Sequence, residues 1–204
     1  MKISGVVFDF GGVITVNRIP IELKKYAAEI GIDWDLFKRG FEKYRLEYDG
    51  GFISLGEMYE RIFKDGAISV SDEVFRRCCE ADSASWLSAN PETKAFIKNL
   101  KERGFKIGIL TNMAPVFADV HFKTAFADFI ELADAMVISG HEKMVKPNRE
   151  IYDLMQKRIA LPPNELCFFD DVEANISAAR AAGWNAIRCD TIPQIIADFE
   201  DLIK

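Results

Sequence analysis

Acidic side chains follow two short apolar runs of the sequence, and a lysine lies between them in the chain. Asp9 comes directly after the first run, and the pair Asp170 and Asp171 comes directly after a later one. Lys146 stands before a proline at the predicted start of a helix. A carboxylate can attack phosphorus to form an acyl phosphate that water then cleaves, provided that positive charge offsets the repulsion between the two anions. These residue types predict phosphoryl transfer with Asp9 as the nucleophile.

The adjacent acids Asp170 and Asp171 indicate where positive charge would come from. Two neighbouring carboxylates repel each other unless one is protonated or both face a metal ion. Oxygen ligands, with no histidine or cysteine in reach by pattern, favour Mg²⁺ over zinc. The alternative is a solvated helix N-terminus, which acidic side chains also stabilise. The sequence therefore predicts a magnesium site with carboxylate ligands.

Polar residues that could hold a phosphate group follow other predicted strands. Thr111 would offer its hydroxyl and backbone amide to a phosphate oxygen, and Asn112 would shape the site. Lys146 would act as a point charge that neutralises Asp9 and the phosphoryl oxygens. Each has an ordinary alternative, since a threonine at a strand end can bond its own loop and most lysines are surface residues.

An alternation of apolar runs and helical patterns indicates how these residues are positioned. Predicted strands cover 6–8, 106–110, 135–138, 166–169 and 186–188, and the helical patterns cover 90–104, 115–127, 149–159, 173–182 and 192–203. This alternation implies parallel strands with right-handed crossovers, an open α/β sheet. Ligands bind such sheets at the carboxyl ends of the strands, so Asp9, Thr111 and the acid pair should meet at one rim.

The stretch from about 15 to 85 interrupts the alternation. Helical patterns over 20–30, 33–48, 54–64 and 71–81 predict a helical insert directly after the first strand, with a turn at Asp49-Gly50-Gly51. Phe41, Tyr44 and Tyr48 recur at helical spacing, so we expect them to pack within the insert. Arg45 remains a candidate for substrate contact.

Composition excludes several classes of function. The 204 residues suit one core domain plus a modest insert, and the net charge of -6 argues against general binding to nucleic acid or to an anionic membrane. No run approaches the ~18 apolar residues of a membrane span, and the N-terminus lacks a signal-peptide pattern. The four cysteines show no zinc spacing and are interpreted as free thiols. We therefore expect a cytoplasmic protein.

Four segments in this order resemble the motifs of the haloacid dehalogenase superfamily. They are VFDFGGVI at 7–14, ILTN at 109–112, VKPNREIY at 145–152 and FFDDVEAN at 168–175. Each is weak alone, but four in order with a helical insert after the first are specific. The resemblance covers nearly the whole chain. It implies a Rossmann-like open parallel sheet core, 1–15 and 86–204, with a small mobile helical cap, 16–85, over the active site.

The same resemblance implies roles for individual residues. Asp9 is then the nucleophile, Thr111 binds phosphate, and Lys146 stabilises the charge. Asp171 ligates Mg²⁺ directly, Asp170 does so directly or through water, and Asn175 matches an outer position that is often acidic in relatives. The full implied sets are Asp9, Gly11 (through its carbonyl), Asp170 and Asp171 for the metal, and Gly11, Gly12, Thr111, Asn112 and Lys146 for the phosphate group.

The chain departs from most phosphatases of the superfamily at Gly11. They carry an aspartate two residues after the nucleophile, which acts as general acid and base and typically contributes ~10²–10⁴-fold in rate. Either the leaving group departs easily, as from an anomeric sugar phosphate, or a cap residue or a water on the metal handles the proton. A branch of sugar phosphatases acting on glucose 1-phosphate also has glycine here and looks most similar. A sugar phosphate is therefore the predicted substrate.

Two alternatives stay open at this point. A 2-haloacid dehalogenase would use the same aspartate on carbon without a metal, but those relatives replace the paired acids with neutral residues, whereas this chain keeps Asp170 and Asp171. A member of the family that binds a ligand without turnover is supported by Gly11 alone. We predict an Mg²⁺-dependent phosphatase of a small phosphorylated metabolite, monomeric or homodimeric, with no nucleic-acid or membrane partner.

Overall fold

The computed structural model describes residues 2–16 and 21–204. Within them, five strands form one parallel sheet in the order β3-β2-β1-β4-β5. The strands are β1 (Gly5–Phe8), β2 (Lys106–Thr111), β3 (Ala135–Ile138), β4 (Leu166–Asp170) and β5 (Asn185–Arg188). The predicted open α/β sheet is confirmed. Its strand order reverses between β1 and β4, the position where open sheets of this kind bind ligands.

Helices precede and follow the strands along the chain. They are α1 (Ile21–Glu29), α2 (Trp34–Asp49), α3 (Leu55–Asp65), α4 (Asp72–Ala84), α5 (Pro91–Glu102), α6 (Pro115–Phe117), α7 (Lys123–Ala125), α8 (Ala127–Leu132), α9 (Ser139–Glu142), α10 (Arg149–Ile159), α11 (Glu173–Ala181) and α12 (Ile192–Leu202). Wider or tighter helical turns occur at Phe10–Ile14, Ala118–Phe122 and Pro163–Glu165. No helix in the described ranges combines the length and the apolar character that crossing a bilayer requires.

Both faces of the sheet are buried because successive side chains of a strand point to opposite sides. In β1, Val6 and Phe8 join the apolar cluster that contains α5 and α12, and Val7 joins the cluster that contains α10 and α11. All of β1 is buried. This two-sided burial explains why the strands read as continuous apolar runs rather than as alternating patterns.

Helices α1 to α4 pack around an apolar cluster of their own. Tyr48 lies in that cluster, and Phe41 and Tyr44 pack against it, as their helical spacing predicts. Polar caps begin three of these helices; at α3, for example, Ser54 forms a capping box with Glu57. The first predicted helix started at Pro20, which lies outside the described residues. The division into a cap, 16–85, and a core remains our interpretation of this arrangement.

The chain leaves and re-enters the sheet region through a pair of antiparallel segments. Thr15 forms a bridge with Ala89, and the Val16 amide donates to the Ser88 carbonyl at 3.1 Å. The four helices α1 to α4 therefore lie between two chain segments that run side by side, one leaving the sheet and one returning to it. This geometry matches an insertion placed directly after the first strand.

The helix predicted over 115–127 differs in the structure, where it is a broken run that continues to Leu132. Phe117, Phe122, Phe126 and Phe129 all lie in the apolar cluster beside β1. Their spacings of five, four and three residues do not fit a straight α-helix, so the backbone widens at Ala118–Phe122 and keeps these rings on one face. The demand of tertiary packing, not local propensity, sets the shape of this segment.

Candidate active site

Asp9 and Asp170 lie side by side because they end neighbouring strands. Phe8 is in register with Phe169, and the Asp9 amide donates to the Phe169 carbonyl at 2.9 Å. Asp170 is the last residue of β4 and is fully buried, and Asp171 follows at the same rim. The expectation that these acids meet at the carboxyl edge of the sheet agrees with this geometry.

Lys146 joins the two strand ends. Its Nζ lies 2.6 Å from Asp9 Oδ1 and 2.6 Å from Asp170 Oδ2, and the side chain is buried. Burial by itself would lower the pKa of this lysine, but the charges of Asp170 and Asp9 outweigh that effect and raise it above the ordinary value. Lys146 is therefore a permanent cation between the two carboxylates.

The carboxylates of Asp9, Asp170 and Asp171 form a cluster suited to a divalent cation. One oxygen from each lies within 4.8 Å of the others, and all three residues are buried. When all three are ionised, these carboxylates outnumber the positive charge of Lys146 by two. Desolvation by burial raises the pKa of Asp9 to about 8; Lys146 opposes this shift, and Asp170 and Asp171 add to it. Buried oxygen donors with excess negative charge fit Mg²⁺ by charge and by donor type.

Asp170 is oriented by polar groups at the start of α11. Asn175 Nδ2 donates to both Asp170 oxygens, at 3.1 and 3.0 Å, and the Val172 amide donates to Oδ1 at 2.8 Å. The Tyr152 hydroxyl in turn donates to the Asn175 carbonyl at 3.0 Å. Asn175 therefore contacts a candidate metal ligand rather than standing apart from the site.

Asn112 holds the backbone of Lys146. Its Nδ2 donates to the Lys146 carbonyl at 3.0 Å, and its Oδ1 accepts from the Lys146 amide at 2.8 Å. The Lys146–Pro147 peptide that follows is cis. These paired bonds tie the loop that carries the lysine to the end of β2. The sequence offered no signal for this contact, because it joins positions 34 residues apart.

A cavity of about 640 Å³ opens beside this cluster, between the sheet rim, helix α2 and Trp86, which follows α4. Asp9, Gly11, Asn112, Lys146 and Asp171 line it, together with Phe41, Arg45, Asp49, Trp86, Met113, Phe117 and Asn175. Of the other predicted site residues, Thr111, Gly12 and Asp170 do not line this cavity. Thr111 is buried at the end of β2, and the Gly12 amide donates to the Thr15 hydroxyl at 3.3 Å. Their predicted roles stay predictions.

The helical side of the cavity carries a buried charge network that sequence reasoning missed. Arg45 Nε donates to both Asp49 oxygens, at 2.9 and 3.0 Å, and its Nη1 donates to Asp82 at 3.2 Å. Trp86 Nε1 also donates to Asp82, at 3.1 Å. The spacing of four residues between Arg45 and Asp49, and between Asp82 and Trp86, is the signal that could have found each half. Only the fold joins the halves.

The family of the protein follows from sequence comparison. A model of haloacid dehalogenase-like hydrolases matches residues 3–183, so the chain belongs to this family and is a hydrolase. A phosphatase of Mycobacterium tuberculosis is 24% identical over 93% of this chain and 88% of its own length. An (S)-2-haloacid dehalogenase of Pseudomonas fluorescens is also 24% identical, over 90% of this chain and 82% of its own. Both chemistries therefore occur among similar proteins.

Solved structures agree on the fold. A haloacid dehalogenase family enzyme from Bacteroides thetaiotaomicron, solved in complex with magnesium and inorganic phosphate, superposes with a TM-score of 0.65 at 22% identity. The match covers 92% of this chain and 94% of that one. The closer resemblance to sugar phosphatases that act on glucose 1-phosphate stays a prediction.

Proposed function

We propose that the protein is an Mg²⁺-dependent phosphatase that hydrolyses a small phosphorylated metabolite through an aspartyl-phosphate on Asp9. The observation that carries this proposal is the carboxylate cluster of Asp9, Asp170 and Asp171, in which the first two share Lys146 and the third adds further negative charge. Such a cluster accommodates a divalent cation, and a cation is what an anionic nucleophile needs in order to approach a phosphate group.

In the proposed mechanism, an Asp9 carboxylate oxygen bonds to phosphorus as the bond to the leaving oxygen breaks. Water then attacks the aspartyl-phosphate, releases inorganic phosphate and regenerates Asp9. Lys146 holds Asp9 in position and offsets charge on the phosphoryl oxygens throughout. Asp9, Asp170, Asp171 and the Gly11 carbonyl would hold Mg²⁺, which when bound supplies charge neutralisation and polarises the phosphoryl group.

The supporting contacts keep these reacting groups in place. Asn112 fixes the backbone of Lys146, and Asn175 fixes the carboxylate of Asp170. Thr111, the last residue of β2, is proposed to donate to a phosphoryl oxygen together with the amides around Gly11 and Gly12. The pairing of β2 with β1, the strand that ends just before Asp9, supports this role.

The cavity gives some support to a sugar phosphate as the substrate. Carboxylates on its helical side, Glu42 and Asp49, can accept hydrogen bonds from hydroxyl groups. Apolar side chains such as Trp86 and Phe117 offer surface to the carbon skeleton of the same molecule. The phosphatase names of similar proteins support the phosphate ester but not a particular alcohol.

A 2-haloacid dehalogenase remains the second candidate, because similar proteins carry that name. Gly11 suits both chemistries. The excess negative charge beside Asp9 favours the phosphatase, since a nucleophile that attacks carbon gains nothing from further carboxylates next to it and has no use for the cation they would bind. A readout that separates phosphate release from halide release distinguishes the two.

The test is a panel of phosphorylated metabolites, including sugar 1-phosphates and sugar 6-phosphates, assayed for phosphate release with Mg²⁺ and with EDTA. A parallel assay measures halide release from 2-chloropropionate. We expect Mg²⁺-dependent phosphate release, which Asp9→Asn should lower by at least a thousandfold because the nucleophile is lost.

Asp153→Asn is the matched control, since it changes an exposed aspartate on α10 in the same way. It should retain full activity. Asp9→Asn activity within tenfold of the unmodified protein would remove Asp9 as the nucleophile, and metal-independent halide release without phosphate release would favour the dehalogenase.

A further inference from the structure

We propose that Asp49, at the end of α2, is the general acid and base of the reaction and takes the place of the carboxylate that Gly11 lacks. This inference rests on the proposed phosphatase function and adds a catalytic residue to it. The residue would reach the site from the helical side of the cavity, opposite the nucleophile.

The position of Asp49 is fixed by the sheet rim. Asp49 lines the same cavity as Asp9 and Lys146. The Asp49 carbonyl accepts a hydrogen bond from Ser139 Oγ at 2.6 Å. Ser139 Oγ in turn accepts one from the Met113 amide at 2.8 Å. Ser139 is fully buried directly after β3, and Met113 lies two residues after β2. The acid is thus anchored to the loops that carry the active site.

The charges around Asp49 let it hold a proton. Arg45 is shared by two buried carboxylates, Asp49 and Asp82, so one positive charge faces two negative charges. Asp82 also accepts from Trp86, and it does not line the cavity. Asp49 is the member of the pair that a substrate can reach.

The titration of Asp49 agrees with this role. Burial raises its pKa to about 6, against the opposing charge of Arg45. Asp82 from α4 raises the pKa further, and Lys146 from the sheet rim lowers it. Tyr48, on the same helix, also faces this group of charges. A general acid functions best with a pKa near the operating pH.

Trp86 lies between Gly11 and the carboxylate pair on Arg45. A Cβ added to Gly11 would lie 3.5 Å from Trp86 Cζ3, an ordinary van der Waals contact, so the indole ring packs beside the position of the missing aspartate. The indole N–H is the group that bonds Asp82. The ring therefore links the vacant position at Gly11 to the carboxylate pair on Arg45.

The proposed proton transfers balance over the cycle. As the Asp9–phosphorus bond forms and the bond to the leaving oxygen breaks, the Asp49 carboxylic acid gives its proton to that oxygen. The Asp49 carboxylate then takes a proton from water as the water oxygen bonds to phosphorus and the bond to Asp9 breaks. One water is consumed, and both aspartates return to their starting states.

The test compares two substrates of similar size whose leaving oxygens differ greatly in basicity. Benzyl phosphate leaves as a basic alkoxide and needs the proton, whereas p-nitrophenyl phosphate leaves as a stabilised phenolate and does not. Asp49→Asn should lower kcat/KM for benzyl phosphate by ~10²–10⁴-fold and for p-nitrophenyl phosphate by less than about tenfold. With benzyl phosphate and saturating Mg²⁺, whose charge favours the ionised form of Asp9, kcat/KM of the unmodified protein should fall above a pH of about 6, as Asp49 loses its proton, and Asp49→Asn should lack that limb.

Asp82→Asn is the matched control, because it alters the other carboxylate on Arg45 without changing a residue that lines the cavity. Because the charge of Asp82 helps to raise the pKa of Asp49, this variant should move the falling limb of the benzyl phosphate profile to lower pH but keep that limb. The ratio of the two kcat/KM values within one preparation does not depend on the fraction of folded protein. Equal losses on both substrates in Asp49→Asn, or a falling limb that is absent in Asp82→Asn as well, would overturn the inference while leaving the phosphatase proposal intact. Absence of Asp9-dependent hydrolysis of either ester would overturn both.

Discussion

At the scale of single residues, the main feature of the site is that several charged side chains are buried together. Lys146, Asp9 and Asp170 are almost entirely removed from water, and a buried charge is very costly unless it is paired and hydrogen-bonded. The lysine meets two carboxylates at 2.6 Å each, and Asn175 donates to the remaining lone pairs of Asp170. These partners offset much of the cost of burying the charges when no cation is bound. The ionised cluster still carries excess negative charge, which would attract a cation.

Replacing Asn175 should test how far the orientation of the Asp170 carboxylate, as distinct from its presence as a ligand, matters for binding Mg²⁺. Asn175→Ala removes both hydrogen bonds to Asp170 and leaves every proposed ligand present. We expect the affinity for Mg²⁺ or the activity to fall by about 10–100-fold, as is typical when a partner of a metal ligand is lost. A titration of phosphate release against Mg²⁺ concentration measures this change.

Ser177→Ala, on the exposed side of the same helix, is the control and should leave the titration unchanged. An unaltered Mg²⁺ dependence in Asn175→Ala would mean that the orientation of Asp170 does not matter for the cation.

At the scale of elements, the turn after α2 joins the cap to the sheet. Gly51 has a φ of +68°, and a Cβ there would meet the Gly140 carbonyl oxygen at 2.9 Å and a Pro115 ring carbon at 3.0 Å. Lys143 Nζ also bonds the Gly51 carbonyl. The glycine is required both by the left-handed backbone and by the close approach of the loops after β2 and β3.

Gly51→Ala and Gly31→Ala form a matched pair that tests this contact. Gly31 has a similar φ of +71° but no atom within 4 Å of an added Cβ. Gly31→Ala should cost the backbone strain alone, about 1–2 kcal/mol in the free energy of unfolding. Gly51→Ala should cost about 1–3 kcal/mol more through overpacking, and it should also raise KM because the cap is displaced.

Urea denaturation and steady-state kinetics on both variants supply the measurements. Equal losses of stability with unchanged KM would show that the turn does not set the position of the cap.

At the scale of the whole molecule, the proposed binding of a cation by the carboxylate cluster would be coupled to folding. The cluster exists only when β1, β4 and the loop carrying Lys146 are assembled, because its members are far apart in the chain. A ligand that binds only the folded state stabilises it by RT ln(1 + [L]/Kd), about 2.7 kcal/mol at a hundred times Kd.

We therefore expect Mg²⁺ at that concentration to raise Tm by about 5–10 °C for a chain of this length. Differential scanning calorimetry in Mg²⁺, in EDTA and in NaCl of equal ionic strength measures the effect. Asp171→Asn should reduce the shift. A rise in NaCl as large as that in Mg²⁺ would mean general screening of the acidic protein rather than a specific site.

Much of this arrangement was predictable from the sequence because it is local or follows from the sheet. The apolar run 135–138 and the helical pattern 149–159 coincide with β3 and α10, and other boundaries agree within a few residues apart from the segment 115–132. The carboxyl ends of parallel strands share one edge of the sheet. Residues that end different buried runs can therefore be predicted from sequence to lie near one another. Asp9 and Asp170 were placed in this way.

Only the tertiary structure decided the contacts between distant segments. Asn112 meets the backbone of Lys146 across 34 residues, and Arg45 meets Asp82 across 37, and neither pairing has a periodic signal. The sequence by itself determined the sheet and its rim of acids, and it predicts the chemistry of Asp9. Which carboxylate of the cap faces that rim depends on how the turn at Gly51 packs against the loops after β2 and β3, because packing of this kind is a property of the assembled surfaces and not of either segment alone.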